Sequence, residues 1–274
     1  MDREIATLEK ASTWTTVPRP ANKNIVGSKW VFQIKRKADG SIKKYKAQLV
    51  AQGFTQKYGI DYFDTFSPVA RLASFCLILA IAAHNNWEAD TFDFNGAYLN
   101  GELDDDEDIY MKPPPRYNSE GGQVKHLCKS LYGLKQAGRK WYDTLYQALT
   151  DLGFRVNDAD PGVFTVQDDN DTTILAIHID DCLITGNSAN QISDYKRKLN
   201  DCYPLTDLGP VHWLLGIKVT QDREACTISL SQTSYIDTIL SCFSLSCAKP
   251  VATPITPEAN LTKEDAPSDE TEAM

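Results

Sequence analysis

Ile174-Leu175-Ala176-Ile177-His178-Ile179-Asp180-Asp181-Cys182-Leu183-Ile184-Thr185-Gly186 is the stretch that decides the fold. Six residues of apolar, alternating strand character lead into two acids, and more strand follows at once. A hairpin presents paired carboxylates at its tip in this way. Two adjacent negative charges beside an apolar strand are costly unless a cation neutralises them. A divalent metal is the obvious candidate, since Mg²⁺ is usually held by one or two carboxylates plus substrate phosphates. Metal-assisted phosphoryl or nucleotidyl transfer is therefore the first hypothesis. Asp-Asp pairs also occur in plain polar turns, and Asp168-Asp169-Asn170-Asp171 reads as a solvated turn.

Working outward, Lys29-Trp30-Val31-Phe32-Gln33-Ile34-Lys35 alternates apolar and polar residues, and a second run covers residues 42–51. Asp39-Gly40 between them predicts a hairpin. Ser67-Pro68 predicts a helix over about 69–84, with Ser as N-cap and Leu72, Phe75, Cys76 and Leu79 facing inward. A strand over 87–94 ends in Asp93-Phe94-Asn95-Gly96-Ala97-Tyr98. Leu134, Trp141, Leu145, Leu149 and Leu152 predict one long helix over 131–152. Gly133 and Gly138 are out of place there, each costing about 1 kcal/mol relative to Ala. Ser188-x-x-Gln191 is a capping box opening a helix to about 199. Residues 211–220 and 227–230 predict a second hairpin, and 233–243 a helix with Ile236, Ile239, Leu240 and Phe243 on its apolar face. From 249 onward the composition is that of a linker or disordered tail. Elements that interleave without regular βαβ spacing favour an α+β core with an antiparallel sheet.

The chain has 274 residues, 42% hydrophobic and 24% charged, enough for one large soluble domain or two subdomains. No apolar run is long enough to span a membrane, and the amino terminus does not resemble a secretory signal. Seven cysteines without Cys-x-x-Cys spacing argue against a disulfide scaffold and a structural zinc site, and for a reducing, cytoplasmic setting. The net charge of −9 is unevenly spread: residues 102–108 hold six acids and the tail from Glu258 six more. The remainder carries 25 acids against 27 bases. Residues 23–57 carry nine Lys or Arg and one acid, either a solvated hairpin face or a surface that follows a phosphate backbone. The acidic 102–108 stretch reads as a solvated loop.

Asp93 alone reads as a strand-end cap or turn acid. Beside a hairpin tipped with Asp180 and Asp181 it becomes a third carboxylate on the same sheet. Three such groups can hold two Mg²⁺ ions about 3.5–4 Å apart, the arrangement that clamps attacking and leaving oxygens in polymerases and nucleases. Further stretches extend the pattern: Tyr45-Lys46-Ala47-Gln48-Leu49-Val50-Ala51-Gln52-Gly53-Phe54-Thr55-Gln56, Gly59-Ile60-Asp61-Tyr62 and Thr65-Phe66-Ser67-Pro68-Val69. Asp93-Phe94-Asn95-Gly96-Ala97-Tyr98-Leu99-Asn100-Gly101, Tyr132-Gly133-Leu134-Lys135-Gln136-Ala137 with Trp141-Tyr142, His178-Ile179-Asp180-Asp181, and Leu215-Gly216-Ile217 complete it. With these motifs in order over about residues 3–257, the chain resembles the reverse transcriptase domain of copia-type (Pseudoviridae) long-terminal-repeat retrotransposon Pol polyproteins.

The resemblance implies a right-hand polymerase fold with an antiparallel palm sheet and flanking helices. Fingers would cover about 20–85 and 105–135, and palm about 86–104 and 136–230. A reverse transcriptase region would span 1–257, with a disordered acidic tail over 258–274 and an incomplete thumb. The activity implied is RNA-directed DNA polymerase, adding dNMP to a primer 3′-hydroxyl with two Mg²⁺ ions, Mn²⁺ being an alternative. Asp93, Asp180 and Asp181 would be the catalytic, metal-binding carboxylates. Tyr98 would gate the sugar, Gln136, Lys46 and Arg139 would bind the nucleotide, and Leu215 and Gly216 would grip the primer. Gly133 and Gly138 would allow close packing against template and nucleotide. Each has a plainer reading as core aromatic, polar helix face or strand packing. Partners would be an RNA or DNA template with primer, dNTP and other Pol or Gag segments, in the cytoplasm or a virus-like particle and not at a membrane. Two departures bear on competence. His178 stands where the family has Tyr or Phe, and Gln48 stands where its Lys-Ala-Arg has a guanidinium. A weak or inactive fragment that keeps the fold and some nucleic-acid binding is the alternative.

Overall fold

The central strands of one sheet are buried through their middles and open only at their ends, so the same sheet carries both a core and an exposed, charged edge. The computed structural model describes residues 1–36, 41–104, 107–117, 122–168, 170–251 and 262. One unit spans residues 1–231 and a second begins at 232.

In chain order the first unit holds α1 (Asp2–Lys10), β1 (Trp14–Pro18), β2 (Ile25–Val26), β3 (Ser28–Arg36) and β4 (Ile42–Ala51). Then come α2 (Leu72–His84), β5 (Glu88–Phe94), β6 (Tyr110–Met111), β7 (Gln123–Leu127) and α3 (Ala137–Asp151). β8 (Arg155–Val156), β9 (Val163–Asp168), β10 (Asp171–His178), β11 (Asp181–Gly186) and α4 (Ala189–Cys202) follow. β12 (Leu205–Pro210), β13 (Trp213–Leu214), β14 (Ile217–Asp222) and β15 (Thr227–Ser231) complete it. The fold is α+β. A six-stranded antiparallel sheet runs β12-β5-β11-β10-β9-β8, beside a β1-β7-β6-β2 sheet, a β13-β14-β15 sheet and the β3-β4 hairpin. The predicted Asp39-Gly40 turn lies outside the described residues.

Both faces of the six-stranded sheet are used. Phe92, Phe94, Cys182 and Ile184 pack on one side against Trp141, Leu145 and Leu149 of α3 and Ile192, Tyr195 and Leu199 of α4. Ala89 and Leu183 pack on the other against Phe75, Ile78, Leu79 and Ala82 of α2. The inward stripe of α2 therefore differs from the expected one, since Leu72 and Cys76 are exposed. Although the sequence boundaries put it in the fingers, α2 packs on the six-stranded sheet. It also starts at Leu72 rather than 69, because its first turn is capped from elsewhere: Asp160 accepts from the Arg71 N–H at 2.9 Å.

The predicted helix over 131–152 begins only at Ala137. Gly133 has φ +89°. A Cβ there would lie 2.2 Å from the Ala51 carbonyl oxygen, and the Gly133 carbonyl accepts from Gly53 N–H at 3.1 Å. This glycine thus seals the end of β4 rather than a template. A Cβ on Gly138 would meet Ser67, so that glycine also serves internal packing. At α4 the capping box is half formed. Ser188 accepts from the Gln191 N–H, but the Gln191 side chain turns to Thr173.

The 102–108 stretch is not merely solvated. Glu107 is buried and pairs with Lys140 at 2.8 Å, while Asp108 pairs with Lys23 and His126. In the second unit α5 (Thr233–Cys242) has no buried residue. Of the expected tail, 258–261 and 263–274 lie outside the described residues. No helix among the described residues is long and apolar enough to cross a membrane.

Candidate active site

Asp93 is the penultimate residue of β5 and stands directly opposite Asp181, the first residue of β11. Its neighbours Phe92 and Phe94 are buried, while Asp93 is only half-buried at the strand end. Residues opposite one another across an antiparallel pair have Cβ atoms about 4.5–5.5 Å apart. Asp180 sits in the two-residue turn joining β10 to β11, and its carbonyl accepts from the Phe94 N–H at 3.2 Å. Burial, then the charges of Asp180 and Asp181, push the Asp93 carboxyl up to about 6, while Lys35 and Lys46 pull it back. Burial and Asp180 raise Asp181 as well, against a smaller opposing effect of His178.

The turn that carries Asp180 is strained. Ile179 has φ +65°, a genuine outlier for a β-branched residue. A positive φ at the first turn position suits the twist of a tight hairpin. What holds it is Trp141, buried in α3, whose indole N–H donates to the Ile179 carbonyl at 2.7 Å. Edge-on contacts with Phe94 and Tyr203, at centroid distances of 5.1 and 5.6 Å, fix that indole.

Around the acids stand the other candidate groups. Tyr98 is half-buried, and burial followed by the charge of Asp180 raises its hydroxyl pKa. Its ring meets Tyr132 edge-on at 5.0 Å, and burial, then Asp180, pushes the Tyr132 hydroxyl up to about 12. On the hairpin, Lys46 lies opposite Gln33 and Lys35 opposite Lys44, so both lysines share one face. Leu215 and Gly216 form the turn between β13 and β14, with φ +50° and +78°. Leu214 and Leu215 line a cleft of about 30 Å³ together with Thr91, Phe92 and Asp181, so Leu215 of the expected pair borders the carboxylate edge.

A family described as "Reverse transcriptase (RNA-dependent DNA polymerase)" matches residues 11–257. The chain belongs to the reverse transcriptase family. Its relatives include the retrovirus-related Pol polyprotein from transposon TNT 1-94 of Nicotiana tabacum, 36% identical over 271 residues, covering 98% of this chain and 20% of that protein. The corresponding polyprotein from transposon RE1 of Arabidopsis thaliana is 37% identical over 252 residues, 91% of this chain and 17% of that protein. The chain thus spans about a fifth of the length of these relatives. Among solved structures, telomerase from Candida albicans in complex with a telomeric RNA fragment is similar at TM-score 0.45 and 10% identity, over 84% of this chain and 49% of that one.

In this chain two expected nucleotide contacts are engaged elsewhere. Gln136 is fully buried. Its amide donates to the Asp61 carbonyl at 2.9 Å and accepts from Gln56 at 3.0 Å, tying the head of α3 to residues 56–61. Arg139 is held by Asp143 at 2.7 Å and Asp64 at 3.1 Å, so its charge is already balanced. Lys35 and Trp141 are the groups that sequence reasoning leaves without a role at the site. Strand alternation puts Lys35 on the Lys46 face, whereas nothing local to Trp141 marks it as a donor to the turn.

The carboxylate edge suits a hard cation, because it offers oxygen donors and an excess of negative charge that raises Asp93. Among the described residues no group of three or more His, Cys, Asp or Glu side chains is arranged to hold a metal ion by itself. An Mg²⁺ site completed by substrate phosphates and water needs only one or two carboxylates.

Proposed function

We propose that this chain is the polymerase part of a retrotransposon Pol polyprotein and extends a primer 3′-hydroxyl with dNMP on an RNA or DNA template. The observation that carries the reading is the meeting of Asp93, Asp180 and Asp181 at one sheet edge that Lys35 and Lys46 also influence. Asp93 and Asp180 would hold divalent metal, which supplies activation of the attacking oxygen and neutralisation of developing charge when bound. Lys46, helped by Lys35, takes the triphosphate. Tyr98, beside Asp180, closes the space that a 2′-hydroxyl would need. Leu215 and Gly216 set the primer end against Asp181. Template, primer and dNTP are the partners of this reading, with other Pol or Gag segments in a cytoplasmic particle.

The test is incorporation of labelled dNTP on a primed RNA template with Mg²⁺ or Mn²⁺, wild type against Asp180→Asn. Incorporation by the wild type and loss of at least about a hundredfold in the variant is the expected result, as for removal of a charge-stabilising group. Equal rates, or a primer that is shortened rather than extended, would reject the reading.

A second reading, a chain that binds primer-template but polymerises weakly, is favoured by Gln48, which shares the Lys46 face and cannot pair a phosphate bidentately. Under it, Gln48→Arg and His178→Tyr raise the rate of a feeble wild type.

A further inference from the structure

Asp160 precedes the β9-β10-β11 strands and has no place in the site described so far. It is 6% exposed and both of its oxygens are engaged. One accepts from the Arg71 N–H at 2.9 Å and the Ser74 hydroxyl at 2.5 Å, and the other from the Gly162 N–H at 3.0 Å. The carboxylate therefore ties residues 70–74, which lead into α2, to residues 160–163, which lead into β9. Those two segments together engage both backbone groups of a single residue of the catalytic hairpin, on the edge of β10 that faces β9. Ile177 donates its N–H to the Gly162 carbonyl at 2.9 Å, and its own carbonyl accepts from the Ala70 N–H at 2.8 Å. The segments touch so closely that a Cβ on Gly162 would lie 2.1 Å from the Ala70 nitrogen. Tyr142 of α3 adds a hydrogen bond from its hydroxyl to the Pro161 carbonyl at 3.0 Å. Ile177 is two residues before the strained Ile179 and three before Asp180.

We infer that Asp160 is a positioning residue: by clamping residues 70–74 to 160–163 it fixes the base of the hairpin that carries Asp180. The catalytic half of this inference rests on the polymerase reading above, while the clamp itself does not. A plain helix cap would need only the bonds to Arg71 and Ser74. The bond to Gly162 and the double grip on Ile177 are what a cap leaves unexplained.

The experiment uses the whole chain as wild type, Asp160→Asn and the milder Ser74→Ala, held well below their unfolding temperatures. Amide hydrogen exchange at Ile177 and Ala70 reads the two clamping bonds directly. In Asp160→Asn both amides should exchange about tenfold faster, the effect of losing one buried charge-assisted bond. Amides of α3 and α4 should be unchanged, and Ser74→Ala should fall between. Acceleration spread evenly over the unit, or confined to the first turn of α2, would show a cap and overturn the clamp. Single-nucleotide incorporation supplies the second readout. Wild-type incorporation tests the polymerase reading on its own. Given an active wild type, Asp160→Asn should lower kcat about tenfold with KM for dNTP within about twofold, by loss of placement rather than binding. Unchanged kcat beside localised exchange overturns the catalytic half. An inactive wild type rejects the polymerase reading and leaves the exchange result to decide the clamp.

Discussion

Replacing Trp141 by Phe would keep an aromatic ring against Phe94 and Tyr203 but remove the one donor bonded to the Ile179 carbonyl. Leaving a buried carbonyl unsatisfied costs about 1–3 kcal/mol. The smaller ring adds about 1 kcal/mol of lost contact and transfer energy. For a unit of this size a loss of roughly 2–4 kcal/mol corresponds to a fall in Tm of about 5–12 °C. The kinetic consequence comes from the turn. Holding Ile179 at positive φ costs of order 1–3 kcal/mol, and without the indole that strain is free to relax by displacing Asp180. A shift in preference of about 1.4 kcal/mol lowers the competent fraction tenfold, so kcat for single-nucleotide incorporation should drop by about one order of magnitude. Ile179→Gly removes the strain at its source. The double variant should therefore be less damaged than the sum of the singles by about 1 kcal/mol, a coupling expected for residues in direct contact. Thermal unfolding and pre-steady-state incorporation on the four proteins decide it. A lowered Tm with unchanged kcat in Trp141→Phe, and strict additivity in the double variant, would refute the idea that the indole holds the turn that carries Asp180.

Tyr98→Val should raise ribonucleotide incorporation relative to dNTP while leaving metal dependence unchanged, and an unaltered ratio in an active preparation would make Tyr98 a packing residue. Lys46→Ala should raise KM for dNTP about tenfold and flatten its salt dependence, as loss of a phosphate-facing charge does. Lys35→Ala should do so to a smaller extent. Lys196 is 9% exposed and bridges Asp90 at 2.6 Å and Asp207 at 2.8 Å. Lys196→Met should cost about 1–2 kcal/mol by leaving the partly buried Asp90 without its cation, Asp207 being exposed, seen as a shift of the urea midpoint. In the wild type, burial pushes Asp207 up, but bonds from Lys196 and the Gly209 N–H outweigh it and hold the carboxyl below its usual range. A carboxyl lowered in the folded state stabilises above its unfolded pKa of about 3.9, and that stabilisation is lost as pH falls through the folded value. Urea midpoints should therefore decline below about pH 4, less steeply in Lys196→Met; an equal decline in both proteins would assign the acid limb to other groups.

The hairpin with its two acids, the strand ending in Asp93 and the helix opened by Ser188 were all legible, because each rests on a pattern confined to a dozen neighbouring residues. What stayed hidden depends on partners far along the chain. The start of α2 is set by Asp160, 89 residues after Arg71, so Ser67-Pro68 was a misleading local signal. Gln136 is bonded to Gln56, 80 residues earlier, and no motif in its own segment records that its amide points inward. The helix expected over 131–152 failed at Gly133, whose left-handed conformation follows from a close contact with Ala51 and not from helical periodicity. Glu107 and Asp108 read as solvated because their partners, Lys140 for the one and Lys23 and His126 for the other, come from elsewhere in the chain.

The placement of β5 between β11 and β12 has a consequence for how the protein is made. Asp93 leaves the ribosome before either sheet neighbour of β5, residues 181–186 on one side and 205–210 on the other. Strand pairings that close such long loops form slowly, because chain entropy is lost before any contact compensates it. During synthesis β5 must therefore wait until more than a hundred further residues have emerged before both of its sheet partners are available. At about 5–20 residues per second that is an interval of roughly 6–25 s. Chaperone demand should concentrate in that window, and a chain halted before residue 180 would carry Asp93 without either of the other two carboxylates and without the β11 strand that stands beside it.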